Sequence, residues 1–269
     1  MDSAHLIETL KGYNVYVIAI AMAGARMGGA VLVLPAFTRL GLSGMLRTAI
    51  ALTMALPLLP LMVTIMAPQP LGFGQVAAIL AKEVAVGLVL GLVLGVPIWA
   101  AEAAGEILDL QRGVTFAELV DPSFTTQNNI MGTFFALLMV AIYFLGGGFS
   151  VTLRTIYDSY TLWPLTSFTP MFSREAGEVL LAILDDIAGL GVMLVAPIIL
   201  ALLLADLSLA LVARAAPHMN IFVLSLPVKN FAMAVLMVLY GAFLLSYLKD
   251  NLGGLIDARP KLERIAPRR

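Results

Sequence analysis

The chain has 269 residues, of which 61% are hydrophobic and 12% charged, and its net charge is −1. Soluble proteins carry about 25% charged residues, so this composition and a mean hydropathy of +0.98 predict an integral membrane protein. The lack of cysteine excludes disulfides, thiolate metal sites and cysteine nucleophiles, and the near-neutral charge argues against nucleic acid as a partner.

Six apolar runs approach or exceed the roughly 18 to 20 residues that cross a bilayer. They predict an all-α protein of about six hydrophobic helices, because a backbone in lipid must satisfy its own hydrogen bonds and these runs lack the alternation of barrel strands. Only short polar stretches separate them, so we predict a single membrane domain over 1–269. The N-terminal MDSAHLIETLKGYN lacks a signal peptide's basic region, and we expect the first run to be retained. The runs are 15–34, 45–66, 76–101, 130–153, 179–204 and 231–248.

Charged residues and prolines interrupt these runs. A charge at a lipid-facing helix centre costs at least about 2.5 to 3.5 kcal/mol, so much of this surface is predicted to face protein or water. Whether Lys82 and Glu83 neutralise each other or contact another subunit remains open. The interruptions are Arg26, Lys82, Glu83, Asp185, Asp186, Asp206, Pro57, Pro60, Pro97 and Pro197.

Glycines four residues apart predict flat helix faces for close packing, either within the chain or with another subunit. They are Gly24, Gly28, Gly87, Gly91 and Gly95. At about 100° per residue, a continued third helix would bring Asp109 onto the face of Gly91, with Glu102 within about 20° of it.

The charge distribution gives a partial topology. Residues 249–269 carry six basic and three acidic side chains, which predicts a cytoplasmic tail. A six-span arrangement would then leave Arg39 and Arg47 outside, against the same rule. The first hairpins are therefore predicted not to cross the membrane conventionally.

Catalytic motifs are weak, and we predict no enzyme, metal or cofactor site. GLSG at 41–44 matches the short motif of intramembrane serine proteases, but His218 follows Pro217 in a polar turn, and Ser43 is placed to cap a helix starting near Met45. The glycines at 146–148 are expected to bend a helix. The alternatives are a secondary transporter, with similarly broken helices, and, less favoured, a serine protease.

The stretch 205–233 predicts a kinked or re-entrant hairpin. An amphipathic helix with Asp206 and Arg214 is followed by a turn at Pro217. Pro227 and Lys229 then precede the last apolar run.

The order and spacing of several blocks resemble the SctT/FliR family of bacterial type III secretion. SctT belongs to virulence injectisomes and FliR to flagella. The residues of the LQRG and YDSYTLWP blocks are more similar to the injectisome branch. His218 departs from the family, which usually has glutamine there. The blocks are LPAF (34–37), KEVAVGLVLG (82–91), AGEILDLQRG (104–113) followed by Asp121-Pro122, YDSYTLWP (157–164), MNIF (219–222) and SLPVK (225–229).

The resemblance implies a non-enzymatic subunit of a helical, pseudo-hexameric export gate in the bacterial inner membrane. Its implied partners are SctR/FliP-type and SctS/FliQ-type proteins, a SctU/FlhB-type switch protein and unfolded secretion substrates. The hairpins of such a gate are largely lifted out of the bilayer plane, which would account for the buried charges and the topology conflict.

The resemblance also implies a plug loop at 113–127, which narrows the closed channel. A flexible Gly113 and a Pro122 around apolar residues suit a seal that a passing chain can displace, although a passive loop is the alternative. The expected plug residues are Gly113, Val114, Thr115, Phe116, Leu119, Val120, Asp121 and Pro122. Candidate subunit contacts or internal charge pairs are Arg26, Lys82, Glu83, Glu102, Asp109, Arg112, Asp206, Arg214 and Lys229.

Overall fold

The structure is a computed structural model that describes residues 3–66, 72–113, 129–165, 167, 172–216, 218, 221–253 and 258–266. Every regular element in these ranges is a helix, which confirms the all-α prediction. A short 3-10 turn, Leu56–Leu58, joins α3 to α4. The helices are α1 (Ser3–Val33), α2 (Pro35–Thr38), α3 (Gly44–Ala55), α4 (Leu59–Met66), α5 (Phe73–Arg112), α6 (Ile130–Leu145), α7 (Gly148–Leu162), α8 (Ala176–Ala215), α9 (Ile221–Gly253) and α10 (Ala258–Ile265).

Among the described residues, five helical stretches are long and apolar enough to cross a membrane, and the number is six if the bent pair α6 and α7 counts as one span. This agrees with the six predicted runs. The bend is 73°, and Gly147 between the two helices has φ +80°, a backbone conformation that glycine adopts without a Cβ penalty. The predicted bend at 146–148 is confirmed, and the run 130–153 is not one straight helix.

The chain divides into two compact units. The first comprises 1–95, 147–181 and 255–269, and the second comprises 96–146 and 182–254. Helices α5 and α8 each contribute residues to both units. The single membrane domain over 1–269 stays a prediction.

In the first unit, α1 packs on α3, α4 and the N-terminal part of α5. A Cβ at Gly29 would lie 2.6 Å from the carbonyl oxygen of Val84, and one at Gly91 would lie 2.7 Å from that of Ala30. Gly87 approaches the carbonyl oxygen of Arg26 even more closely. The first helix therefore meets α5 through Gly29, whereas Gly28 faces open space within this chain, so packing of its face against another subunit stays a prediction.

Two helices extend beyond their predicted apolar runs. The third run ended at residue 101, but α5 continues to Arg112. Helix α9 begins at Ile221, ahead of the sixth apolar run that starts at 231, and it runs through Pro227. Apolar residues before this proline continue the helix, and membrane helices tolerate an internal proline when neighbouring groups satisfy the freed backbone.

One local prediction needs correction, and one helix was not predicted from the sequence. Ser43 occupies the N-cap position of α3, but its side chain makes no capping hydrogen bond. Within the basic tail, Leu262 and Ile265 of α10 are buried in the first unit, and the backbone N–H of Ser173 donates to the carbonyl of Ile265 at 2.9 Å. The apolar residues of α10 lie on one face, but this amphipathic pattern is short and lies in a basic stretch, so it was not recognised in the sequence.

Candidate functional site

A buried ion pair joins α1 to α5 in the first unit. The Arg26 guanidinium donates through Nε to Glu83 Oε2 at 2.7 Å and through Nη2 to Glu83 Oε1 at 3.0 Å. Both side chains are fully buried. This two-point geometry is the strongest form of an arginine–carboxylate contact, and it removes the cost of leaving either charge alone in an apolar interior.

The same guanidinium reaches the C-terminal end of α7. It donates to Ser159 Oγ at 2.9 Å and to the carbonyl oxygen of Trp163 at 2.8 Å, and its Cζ lies 3.6 Å from the centre of the Tyr160 ring. Arg26 therefore ties three helices together through a carboxylate, a hydroxyl, a carbonyl and an aromatic face.

Lys82 is held by carbonyls that follow α7. Its Nζ lies 3.0 Å from Glu83 Oε1 and donates to the carbonyls of Pro164 at 2.7 Å and Ser167 at 2.9 Å. Two cations thus share one carboxylate, and the remaining positive charge faces carbonyl dipoles beyond a helix C-terminus. This cluster is a structural anchor that fixes the chain after α7 on α1 and α5.

A second cluster lies in the other unit, at the end of α5 and the start of α6. Asp109 pairs with Arg112 one turn away, and both are more than 90% buried. The second oxygen of Asp109 accepts the backbone N–H of Met131 at 2.9 Å and that of Gly132 at 3.4 Å. Arg112 Nη1 donates to Asn230 Oδ1 of α9 at 3.3 Å.

Lys229 on α9 also holds this end of α5. Its Nζ lies 2.6 Å from Asp206 Oδ1 of α8 and donates to the carbonyl oxygen of Gln111 at 3.2 Å. A cation at a helix C-terminus satisfies carbonyls without an intrahelical partner. Gly113, with φ +84°, then ends the helix in the left-handed conformation typical of glycine after a helix C-terminus.

These residues line a cavity of about 410 Å³ beside the end of α5. Its walls carry both charges of the Asp206–Lys229 pair together with Arg112 and Gly113. Among the described residues, no group of three or more histidines and carboxylates is arranged to hold a metal ion.

The sequence from 17 to 255 matches the family described as Bacterial export proteins, family 1. The match covers most of the chain. The chain belongs to this bacterial export family. This membership confirms the predicted SctT/FliR resemblance, and the helices that are long enough to span a bilayer make this export protein a multi-pass membrane protein.

Curated relatives include both injectisome and flagellar proteins. The chain is 34% identical to the Yop proteins translocation protein T of Yersinia pestis over 80% of its own length and 82% of that protein. It is 32% identical to the surface presentation of antigens protein SpaR of Salmonella typhimurium, with 83% of each chain covered. It is 30% identical to the flagellar biosynthetic protein FliR of Caulobacter vibrioides, over 80% of this chain and 84% of that one.

The predicted site residues of the export protein fall into several groups. Arg26, Lys82 and Glu83 meet in the first cluster, and Asp109, Arg112, Asp206 and Lys229 lie in the second. Arg214 is exposed in the last turn of α8, Glu102 is half-buried in α5 and Gly95 is buried. The plug residues from Val114 to Pro122 lie outside the described residues.

Sequence reasoning missed several partners in both clusters. Ser159, Tyr160 and Trp163 belong to the YDSYTLWP block, so this block could have indicated that they contribute to the site. Asn230 directly follows SLPVK. Nothing in the sequence around Gly132 indicates that its backbone N–H meets a carboxylate 23 residues earlier.

Proposed function

We propose that this chain is the structural and gating SctT/FliR-type subunit of a type III export apparatus. The observation that carries the proposal is the family match over 17–255, together with relatives whose names refer to Yop translocation and to flagellar biosynthesis. The proposed role is non-enzymatic. The residues of the LQRG and YDSYTLWP blocks of this chain favour the injectisome branch.

The proposed setting is the bacterial inner membrane, with 249–269 on the cytoplasmic side. One copy would assemble with several SctR/FliP-type and SctS/FliQ-type proteins and with a SctU/FlhB-type switch protein, and unfolded substrates would pass through the assembly. Large apolar side chains are exposed along α8 and α9, including Leu200, Leu204, Val238 and Leu239. Such surfaces require lipid or protein neighbours and therefore support an assembled state.

We propose that 113–127 is the plug of the closed gate. The support comes from the described residues on either side of it: α5 ends at Arg112, Gly113 has φ +84°, and α6 begins at Ile130. With the end of α5 and the start of α6 held by buried charges, the apolar residues between them could seal the channel against ions and yet be displaced.

Ion conductance of the assembled gate tests the plug. Deletion of Val114 to Val120 should raise ion leakage through the gate, because the apolar side chains that seal it are gone, while the complex still assembles. Leakage is measured by electrical recording from purified complexes in lipid bilayers.

The matched control is Leu145→Ala, which removes an exposed apolar side chain at the end of α6 that is far from the segment. Its conductance should stay at the wild-type level. An assembled deletion variant that conducts no more than wild type would contradict the plug.

A further inference from the structure

The N-terminus of α6 is capped by a side chain from another helix. Asn129 occupies the N-cap position but makes no side-chain capping bond. Instead, the N–H groups of Met131 and Gly132, the second and third residues of the helix, donate to Asp109 Oδ2 of α5 at 2.9 and 3.4 Å. These are the N–H groups that a local N-cap oxygen normally satisfies. The negative charge also suits the positive end of the helix.

The other oxygen of Asp109 binds Arg112, the last residue of α5. One carboxylate therefore contacts both stems, defined here as 105–113 before segment 114–128 and 129–132 after it. Asp109 is 4% exposed and Arg112 is 8% exposed. Arg112 lies on the same stem as Asp109, so separation of the stems would leave their ion pair intact but would leave one carboxylate oxygen and two buried backbone N–H groups without these partners.

The stems also touch directly through two glycines. A Cβ on Gly105 would collide with the carbonyl of Met131, so the backbones are in close contact there. A Cβ on Gly132 would lie 2.9 Å from Glu106 Cγ, and Asn129 Nδ2 donates to Glu106 Oε1 at 3.2 Å. Small residues on both sides are what permit this approach.

We propose that Asp109 is a positioning residue that keeps the two stems together throughout transport, so that the gate opens without separation of its stems. The inference rests on the proposed function of 113–127 as the plug. It excludes an opening motion in which α5 and α6 part at Asp109.

A reversible covalent lock tests whether the stems part. In Glu106→Cys with Gly132→Cys, the new sulfur on 106 would replace Cγ, 2.9 Å from the new Cβ on 132, which is close to the about 3 Å that a disulfide requires between these atoms. The chain has no native cysteine, so the pair is unique within it. Secretion by cells carrying the whole gate is measured after oxidation and again after reduction, with each single-cysteine variant as a control.

We expect the oxidised gate to secrete within about twofold of the reduced gate, because a lock on stems that stay together removes no state needed for transport. Secretion that stops on oxidation and returns on reduction, in the double variant only, would overturn the proposal.

The Asp109→Ala variant tests the positioning role. It should raise ion leakage through the assembled gate about fivefold or more, and Asp109→Asn should leak less because its amide oxygen still accepts the two N–H groups. Oxidation of the cysteine pair in the Asp109→Ala background should return leakage to near the wild-type level. A residue needed only for folding would not give that rescue. Glu263→Ala, at an exposed ion pair in α10, serves as the matched carboxylate control.

Three results would overturn the positioning role: wild-type leakage in Asp109→Ala, leakage that the lock does not reduce, or loss of the assembled complex in Asp109→Ala. If the double-cysteine gate does not assemble, the comparison of Asp109→Ala with Asp109→Asn decides. Increased leakage on deletion of Val114 to Val120, together with wild-type leakage in Asp109→Ala, would reject the positioning role of Asp109 but retain the plug. No leakage from the deletion would reject the plug itself.

Discussion

Arg26 illustrates how a membrane helix can carry a cation without exposing it to lipid. Its guanidinium contacts Glu83, Ser159, Trp163 and the Tyr160 ring, all of which lie in the first unit. The attraction between opposite charges offsets their desolvation only while both partners are present. The pair is therefore expected to be far more sensitive to removal of one partner than an exposed pair is.

Glu83→Ala should lower the free energy of unfolding by about 3 to 5 kcal/mol, because it leaves Arg26 and Lys82 buried without their shared carboxylate. The measurement is the midpoint of thermal unfolding in detergent. Asp158→Ala is the control, since Asp158 forms an exposed pair with Arg154 at 3.9 Å, and pairs of that kind contribute about 0 to 1 kcal/mol. Equal midpoints for the two variants would count against the anchor.

At the scale of elements, contact between α1 and α5 depends on which glycines point at the neighbouring backbone. Gly29, Gly87 and Gly91 lie where an added Cβ would meet backbone atoms, which cannot move as a side-chain end can. Gly28 lies beside Gly29 on the same helix and has open space around it. Substitution of each of these two adjacent glycines by alanine therefore separates the effect of packing on stability from the effect of helix propensity.

Gly29→Ala should destabilise the protein by about 1 to 3 kcal/mol, because the new Cβ overpacks against the carbonyl of Val84. Gly28→Ala should be neutral or stabilise it by up to about 1 kcal/mol, since alanine favours a helix more than glycine does. Thermal unfolding of the two variants under the same detergent conditions checks the difference. A Gly29→Ala variant as stable as Gly28→Ala would disprove the close contact.

At the scale of the whole molecule, the distribution of apolar surface matters most. Of the apolar stretch in α5 that is long enough to span a membrane, 72% is buried inside the protein. The corresponding share is 28% for α8 and 17% for α9. The charges of α5 have partners within the chain, whereas the apolar faces of α8 and α9 are not covered by the described residues and need an apolar environment.

Extraction in mild detergent should therefore recover this chain in a large heteromeric complex that contains a single copy of it. Mass measurement of the intact complex and its subunit ratio checks this. The Glu263→Ala variant, changed only at an exposed residue of α10, should give the same complex. Recovery as a single chain or as a homo-oligomer would instead favour a secondary transporter.

Much of the helical content could be predicted because apolar runs of membrane length report directly on helices. The glycines at 146–148 likewise predicted their bend, since their backbone preference is local. The third apolar run stops before the end of α5, and the sixth begins after the start of α9, because polar residues such as Asp109 and a proline such as Pro227 disrupt the apolar pattern but not the helix. Hydrogen bonding, which the pattern does not reveal, decides where those helices end.

The sequence by itself determined the membrane class, the helical architecture and the family, because composition, run length and the order of motifs are properties of the chain alone. Only the tertiary structure decided which charges meet. Glu83 forms ion pairs with both Arg26 and Lys82, and Asp109 of α5 accepts a backbone N–H at the start of α6. Arg26 and Glu83 are 57 positions apart in the sequence, and Asp109 and Met131 are 22 positions apart. The physical reason is that spacing along a helix assigns a residue to a face, whereas packing between helices determines what that face touches.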